Sequence, residues 1–292
     1  MKKVIVTGGC GFIGSNLVDI LVSKGHEVTV IDNLITGKEE NANEDASYIY
    51  EDYREVLSSP SRYFLDKGEY DTIFHLAAMP RIQPSFDDPL YTFNNNAYGT
   101  AILCDFAKQH DIKIVYAGSS SFYGGVYLNP YSFSKWVGEE ICQMYSKIYG
   151  ISSCVARFFN VYGPRHLKTG PYSTVVGVFE EQYDNSQPLT VTGDGEQRRD
   201  FTHVYDICSG LIAMSDARHN GEIFNLGTGK NYSINELANL FPNSTIKYIP
   251  KRPGEAKETL ADISKAASLL NYEPVNNLQE YVRDIADSRK TK

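Results

Sequence analysis

Residues 3–17 read KVIVTGGCGFIGSNL, and this stretch decides the fold. The β-branched run Lys3–Thr7 predicts a strand, and the apolar residues that recur at helical spacing behind Gly14 predict a helix. Gly8, Gly11 and Gly14 lie between these elements with the spacing G-x-x-G-x-x-G. Residues without side chains let the backbone turn tightly and approach a pyrophosphate, and the start of the helix then favours the anion through its N–H groups and dipole.

An acidic residue strengthens this interpretation. Asp32 ends the next predicted strand, His26–Ile31, and follows Gly14 by 18 residues. A carboxylate at that place accepts hydrogen bonds from an adenosine ribose, and the neighbouring Asn33 is included in the predicted cofactor site. Without the glycines, a simple turn residue would be the default interpretation of Asp32. Since a carboxylate repels a 2′-phosphate, the sequence predicts NAD rather than NADP.

The first half of the chain continues to alternate strands with helices. Further strands are predicted at Thr72–Leu76, Lys113–Ala117 and Ser153–Phe159, and helices at Ala97–Lys108 and Lys135–Tyr149. This alternation is typical of an α/β fold with a Rossmann-type doubly wound parallel sheet. The second half has more turn clusters and shorter elements. We therefore expect a dinucleotide-binding domain over residues 1–159 and a smaller α/β lobe over 160–292, with some segments crossing between them.

Composition excludes several classes of protein. The 292 residues carry 28 Lys and Arg against 36 Asp and Glu, a net charge of −8, which disfavours a general nucleic-acid binder. No apolar run approaches the roughly 18 residues that would cross a membrane, and the start of the chain does not read as a signal peptide. The five cysteines form no CxxC pair, so we expect reduced thiols in a cytoplasmic protein and no metal site.

Ten motifs, the glycine loop and Asp32–Asn33 among them, follow one another in an order that is found in a known family. They are TGGCGFIGSNL (7–17), DN (32–33), HLAA (75–78), SSSFYG (119–124), YSFSK (131–135), RFFNVYGP (157–164), DGEQRRDFTHVYD (194–206), FNLGTG (224–229), RPGE (252–255) and LADISKA (260–266). Together they resemble the extended short-chain dehydrogenase/reductase family and, within it, the nucleotide-sugar 4-epimerases. The resemblance covers nearly the whole chain.

The resemblance implies further cofactor contacts. Phe12 and Ile13 would lie in the phosphate loop, and Asn96 would lie near the nicotinamide. The residues Leu76, Ala77 and Ala78 would lie under the adenosine and pyrophosphate. Asp52 and Tyr53 take the family's adenine-contacting position, although EDY departs from the usual Gly-Asp-Ile or Gly-Asp-Leu.

The candidate catalytic residues are Ser119, Tyr131 and Lys135. Tyr131 and Lys135 are four residues apart, so on a helix they share one face. An ammonium beside a phenol favours the phenolate, so we expect Lys135 to lower the pKa of Tyr131 from about 10 towards the range of a general base. An exposed amphipathic turn is the alternative interpretation. Ser119, which can bond the same substrate oxygen, and the glycine loop favour catalysis.

The serines also discriminate between reactions. Relatives that remove water carry an Asp-Glu pair directly after their catalytic Thr, and decarboxylating relatives carry a Glu there, whereas this chain has Ser120 and Ser121. Reversible oxidation at C4 is therefore favoured, and with it a 4-epimerase acting on a UDP-hexose. The alternatives are a 4,6-dehydratase or decarboxylase, a reductase that forms a deoxysugar, and a non-catalytic NAD-binding protein. The short loop 125–130, which is longer in relatives, is the main argument for the last.

The resemblance also implies a substrate end and a homodimer. Asn160, Arg199 and Arg252 would surround the nucleotide diphosphate, where guanidinium groups give charge-assisted contacts. Glu255 stands where relatives have an aspartate that binds the nucleotide ribose. Four residues further on, the small Thr259 stands at a position that gates the sugar pocket, which favours N-acetylated sugars beside plain hexoses. Threonine also occurs there in glucuronate epimerases, but these usually lack an arginine at the place of Arg252.

Overall fold

A seven-stranded parallel sheet is the centre of the molecule. The computed structural model describes residues 1–65, 69–217 and 220–290. The strands are β1 Lys3–Thr7, β2 Glu27–Ile31, β3 Ser47–Ile49, β4 Thr72–His75, β5 Lys113–Ser119, β6 Ser153–Phe158, β7 Val161–Tyr162, β8 Leu189–Thr192, β9 Arg198–Asp200, β10 Thr202–His203, β11 Glu222–Leu226, β12 Asn231–Ser233 and β13 Ile246–Ile249. The central sheet has the order β11-β6-β5-β4-β1-β2-β3 with every pairing parallel.

Helices cover both faces of this sheet. They are α1 Phe12–Ser23, α2 Tyr53–Ser58, α3 Ile82–Asp87, α4 Pro89–Phe93, α5 Gly99–His110, α6 Ser121–Gly124, α7 Pro130–Tyr149, α8 Val175–Asp184, α9 Val204–Asp216, α10 Ile234–Asn239, α11 Ser264–Leu270 and α12 Leu278–Lys290. Alternate residues of β1 show the layering, because Val4 and Val6 pack on the side of α1 and α9 while Ile5 packs on the side of α5. The predicted α/β fold with a doubly wound parallel sheet is confirmed.

Several element boundaries differ by a few residues from the sequence pattern, and two of these differences concern the site. Strand β5 continues two residues further than predicted, to Ser119, because Gly118 and Ser119 still pair with β6. Helix α7 begins at Pro130 rather than near Lys135, because Asn129 caps it by accepting a hydrogen bond from the backbone N of Ser132 at 2.7 Å. The first turns of α7 therefore start beside the end of β5.

The chain beyond residue 159 contributes to two layers. Three two-stranded sheets, β7 with β10, β8 with β13 and β9 with β12, form a smaller lobe whose core includes Phe179, Leu189 and Phe241. Helix α9 packs on α1, and β11 pairs with β6 at the edge of the central sheet. Residues 160–292 are therefore shared between the lobe and the central sheet.

Two further properties of the described residues concern the cysteines and the helices. All five cysteines lie among the described residues, where they are buried and form no disulfide bond. Among the residues described, no helix combines the length and the apolar composition that crossing a bilayer requires.

Candidate active site

A cavity of about 710 Å³ lies where the carboxyl ends of the central strands face the smaller lobe. Ligands of doubly wound sheets bind at this edge. Most of the predicted site residues line it. They are Gly8, Gly11, Phe12, Ile13, Gly14, Asp32, Asn33, Tyr53, Leu76, Ala77, Ala78, Ser119, Tyr131, Lys135, Asn160, Arg199, Arg252, Glu255 and Thr259. Asp52 and Asn96 do not line it.

The glycine loop has the shape of a phosphate cradle. Gly8 has a φ of 75°, and an added Cβ would lie 2.7 Å from the backbone N of Ala77. A Cβ on Gly14 would lie 2.1 Å from the carbonyl oxygen of Gly8, so neither position accepts a side chain. Helix α1 starts directly after Gly11 without a side-chain cap, which leaves its first-turn N–H groups for an anion. The loop therefore fits the pyrophosphate of a dinucleotide.

Asp32 is held in place by the same loop. Its Oδ2 accepts a hydrogen bond from the backbone N of Cys10 at 2.9 Å, and its Oδ1 accepts one from Leu34 at 2.8 Å. Burial raises the pKa of Asp32, and these two N–H donors oppose the shift. A carboxylate offers about four lone-pair positions. Two therefore remain for ribose hydroxyls.

Two of the residues expected at the cofactor have other partners. Asp52 accepts a hydrogen bond from the backbone N of Arg54 at 2.9 Å and pairs with its guanidinium. It therefore caps α2 instead of reaching the cavity, because Arg54 follows it so closely. The buried amide of Asn96 binds the backbone N and O of Met79 at 2.7 and 3.1 Å. Asn96 consequently fixes the loop behind β4 and does not itself face the cavity.

The neighbouring Asn95 lines the cavity instead. It lies in a π-helical turn over Asn94–Tyr98, and such turns occur frequently at functional sites. Asn95 is 5% exposed, and its Oδ1 has no hydrogen-bond partner among the described residues. Its backbone oxygen accepts a hydrogen bond from the hydroxyl of Tyr53 at 2.5 Å. The run NNN marks this segment in the sequence, but it does not show which of the three asparagines lines the cavity.

Ser119, Tyr131 and Lys135 meet at the floor of the cavity. The Tyr131 hydroxyl donates to Ser119 Oγ at 3.5 Å. The Lys135 side chain is buried, and its Nζ lies 4.3 Å from the centre of the Tyr116 ring. The short loop 125–130 does not disturb this arrangement, because Asn129 sets the start of α7.

The electrostatics of Tyr131 differ from the expectation. Burial raises its pKa, while the hydrogen bond with Ser119 and the positive charge of Arg81 oppose the shift. Burial also lowers the pKa of Lys135 to about 8, and the Glu139 carboxylate opposes that change. The expectation that Lys135 lowers the pKa of Tyr131 is therefore wrong for this structure, since the Lys135 ammonium lies on the Tyr116 ring and the cation that acts on Tyr131 is Arg81.

A buried ion pair that the sequence reasoning missed supports the floor. The Glu139 carboxylate accepts hydrogen bonds from the Arg157 guanidinium at 2.7 and 3.0 Å, and its other oxygen lies 3.4 Å from the backbone N of Ser119. A Cβ on Gly118 would lie 2.6 Å from Glu139 Oε1. Glu139 follows Lys135 by four residues on α7, so helical spacing from the catalytic pair was the signal that could have identified it.

The smaller lobe supplies the opposite wall. The Arg199 guanidinium lies 3.8 Å from Glu255, and burial lowers the pKa of Arg199 while Glu255 opposes the shift. Thr259 is buried, and its Oγ1 accepts a hydrogen bond from Asn160 at 3.4 Å. Arg252 is exposed at the rim of the cavity.

Two hydrogen bonds fasten the turn 252–255 to the first domain. Asn129 donates to the carbonyl oxygen of Gly254 at 3.0 Å, and Gln83 donates to that of Pro253 at 2.9 Å. The segment that carries Arg252 and Glu255 is thus tied to the start of α7. Across the described part of the chain, no group of three or more His, Cys, Asp or Glu could hold a metal ion.

Fold and site together define a dinucleotide-dependent enzyme of the extended short-chain dehydrogenase/reductase type. The chain belongs to the NAD dependent epimerase/dehydratase family, whose model matches residues 4–227. It is 34% identical to a putative UDP-glucose 4-epimerase of Methanocaldococcus jannaschii, with 98% of each chain covered.

Solved structures agree with this family. The fold is similar to that of the UDP-glucose 4-epimerase of Thermotoga maritima with UDP-glucose, with a TM-score of 0.92, 29% identity and 99% of each chain covered. It is also similar to the UDP-glucuronic acid 4-epimerase of Bacillus cereus in complex with UDP-glucuronic acid and NAD, with a TM-score of 0.87, 30% identity and 99% of each chain covered. The prediction of NAD as the cofactor is confirmed at the level of the family.

Asp32→Asn tests the contact with the adenosine ribose. Hydrogen bonds to charged groups contribute about 1.5–3 kcal/mol, so we expect NAD to bind about tenfold to a hundredfold more weakly and the preference over NADP to narrow. Calorimetric titration of cofactor-free protein measures the dissociation constants of NAD and of NADP. Asp45→Asn, at an exposed position, is the control. Equal or tighter binding of NADP to the unaltered protein would contradict the assignment.

Glu139→Gln tests the support beneath the candidate catalytic residues. Removing one partner of a buried ion pair leaves the other charge uncompensated, which costs about 3–5 kcal/mol. We expect a loss of this size in the free energy of unfolding, measured with a chemical denaturant. Glu140→Gln, at an exposed position on the same helix, should change the free energy of unfolding by less than about 0.5 kcal/mol. A similar effect of both substitutions would rule out the supporting role.

Proposed function

We propose that the protein catalyses NAD-dependent epimerisation at C4 of a UDP-sugar through a transient 4-keto intermediate. The substrates are UDP-glucose and UDP-galactose, their N-acetylamino forms, or both. The observation that carries this proposal is the hydrogen bond of 3.5 Å between Tyr131 and Ser119 beside the buried Lys135, on the floor of one cavity. The dinucleotide cradle lines one side of that cavity and the Arg199 and Arg252 wall lines the other.

Each residue has a separate task in this reaction. Tyr131 accepts the proton of the C4 hydroxyl, and Ser119 holds the same oxygen by a hydrogen bond. NAD, when bound, supplies reversible hydride transfer. Lys135 orients the cofactor ribose, and Arg199 and Arg252 bind the diphosphate. The 4-keto sugar turns over in the cavity before Tyr131 returns the proton.

The site argues against the competing functions. A lyase needs a second acid or base beside the catalytic hydroxyls, and the segment after Ser119 offers only the hydroxyls of Ser120 and Ser121. A non-catalytic NAD-binding protein has no need of the trio, which is intact here despite the short loop 125–130. A homodimer and a cytoplasmic location stay predictions.

Tyr131→Phe tests the proton transfer. Deleting the hydroxyl should lower turnover by about 10²–10⁴-fold while NAD stays bound, because only the proton-transferring group is lost. NMR of the purified protein with UDP-, GDP- and dTDP-sugars, without added cofactor, measures the reaction. Tyr149→Phe, at the exposed end of the same helix, is the control and should keep full activity. Lys135→Met should lower turnover and also weaken NAD binding, because Lys135 orients the cofactor ribose in the proposed reaction. Near-normal epimerisation by Tyr131→Phe would refute the catalytic assignment.

Thr259→Tyr tests the gate of the sugar pocket. Thr259 lines the cavity beside Asn160, so a tyrosine ring at this place would fill space that an N-acetyl group needs. We expect turnover of the acetylated pair to fall at least tenfold while the plain pair is nearly unaffected. Thr259→Ser, which keeps the hydroxyl, is the control. No activity of the unaltered protein on acetylated sugars, or equal losses for both pairs, would exclude the gate.

A further inference from the structure

Two side-chain amides of the first domain hold the turn 252–255 by its backbone. Gln83 donates to the carbonyl oxygen of Pro253 at 2.9 Å, and Asn129 donates to that of Gly254 at 3.0 Å. The turn follows β13 of the smaller lobe, whereas both amides belong to segments that pack around the start of α7. The first domain therefore sets the position of this part of the opposite wall.

The turn approaches the first domain too closely to admit further side-chain atoms at the contact. Gly254 has a φ of 73°, and a Cβ on it would lie 3.0 Å from the ring of Phe86. A Cβ on Gly124, at the end of α6, would lie 2.6 Å from the Cβ of Ala256. Glycines on both sides of the contact thus permit the approach that brings the carbonyl oxygens of the turn within reach of the amides.

Asn129 binds two partners at once. Its Oδ1 accepts a hydrogen bond from the backbone N of Ser132 at 2.7 Å, which caps α7, while its Nδ2 binds Gly254. Asn129 is buried and is not among the described residues that line the cavity, so it acts only through these bonds. One side chain therefore joins the turn to the start of α7, two residues before Tyr131.

Gln83 connects the turn to Tyr131 by a different route. It lies on α3, which packs on α7. Two residues further along α3, the buried Ser85 accepts a hydrogen bond at its Oγ from the backbone N of Tyr131 at 3.1 Å. The turn that carries Arg252 is consequently linked to Tyr131 through two separate side chains.

We propose that Asn129, with Gln83 as the second link, is a positioning residue that fixes the distance between the turn 252–255 and Tyr131. This inference rests on the proposed function, which puts the diphosphate at Arg252 and C4 of the sugar at Tyr131. One ligand spans both places, so a displaced turn binds the diphosphate while C4 lies away from the phenol oxygen. A misplacement of about 1 Å can lower a rate about a hundredfold, because reacting atoms must be close and aligned.

Asn129→Ser separates the bond to the turn from the cap. Serine caps a helix about as well as asparagine, but its side chain is too short to reach Gly254, and the exchange adds no charge. We expect turnover of the UDP-sugar that the unaltered protein converts to fall about tenfold to a hundredfold. The affinity for UDP, measured by calorimetric titration, should fall about threefold to tenfold, because one neutral hydrogen bond is lost. The affinity for NAD should stay unchanged.

Asn129→Ala is the matched control, because it removes the cap as well as the bond to the turn. Its melting temperature should lie below that of Asn129→Ser, while the affinity for UDP falls by the same factor. Gln83→Met removes the other bond without touching the cap, and it carries the test if Asn129→Ser does not fold. Both changes together should lower turnover by more than the product of the single losses, because each amide holds the turn when the other is absent.

Two results would overturn the inference. One is full turnover and full affinity for UDP in Asn129→Ser, which leaves the proposed function standing if the unaltered protein epimerises a UDP-sugar. The other is an equal loss of affinity for UDP and for NAD, which would assign Asn129 to the stability of the fold alone. Release of CO₂ or of water by the unaltered protein would instead refute the epimerase proposal, while a selective loss of UDP affinity in Asn129→Ser would still support the inference.

Discussion

The carboxylate of Glu139 is the constraint on which the active site depends. It is buried between α7 and the central sheet, where it binds the guanidinium of Arg157 on β6 and faces the backbone N of Ser119 at the end of β5. One side chain thus joins the helix that carries Tyr131 and Lys135 to the strand that carries Ser119. Burial lowers the pKa of Lys135, and the negative charge of Glu139 opposes this change. Because two buried charges are stable only as a pair with good geometry, this contact holds the floor of the cavity in one arrangement.

The two walls of the cavity are built on different physical grounds. The cofactor wall consists of backbone, with glycines at the places where a Cβ would collide and free N–H groups at the start of α1. The opposite wall carries charged side chains, among them Arg199 and Arg252, in a protein whose net charge is −8. A local concentration of guanidinium groups therefore coexists with an acidic surface, which suits a dianionic sugar nucleotide and not a nucleic acid. The bonds of Asn129 and Gln83 to the turn 252–255 hold the walls together.

How well the sequence predicts each residue of the candidate site depends on the kind of signal that the residue carries. The glycines and Asp32 were predictable because backbone geometry allows few alternatives at a strand–turn–helix junction. Tyr131 and Lys135 were predictable because helical spacing places them on one face. Asp52 and Asn96 do not line the cavity, since the nearby Arg54 binds the carboxylate of Asp52 and the amide of Asn96 binds the backbone of Met79. Neither effect is visible in a motif, because a motif states residue types and not which neighbour competes for them.

The sequence by itself determined the fold class, the family and the composition of the candidate catalytic trio, Ser119, Tyr131 and Lys135. These depend on local periodicity, glycine spacing and motif order, which residues close together in the chain encode. Only the tertiary structure decided which charges act on the trio. Arg81 precedes Tyr131 by 50 residues and Arg157 follows Glu139 by 18, so their roles arise when α3 packs on α7 and when β6 pairs with β5. Electrostatic interactions depend on distance in space and on burial, and neither is a property of sequence spacing.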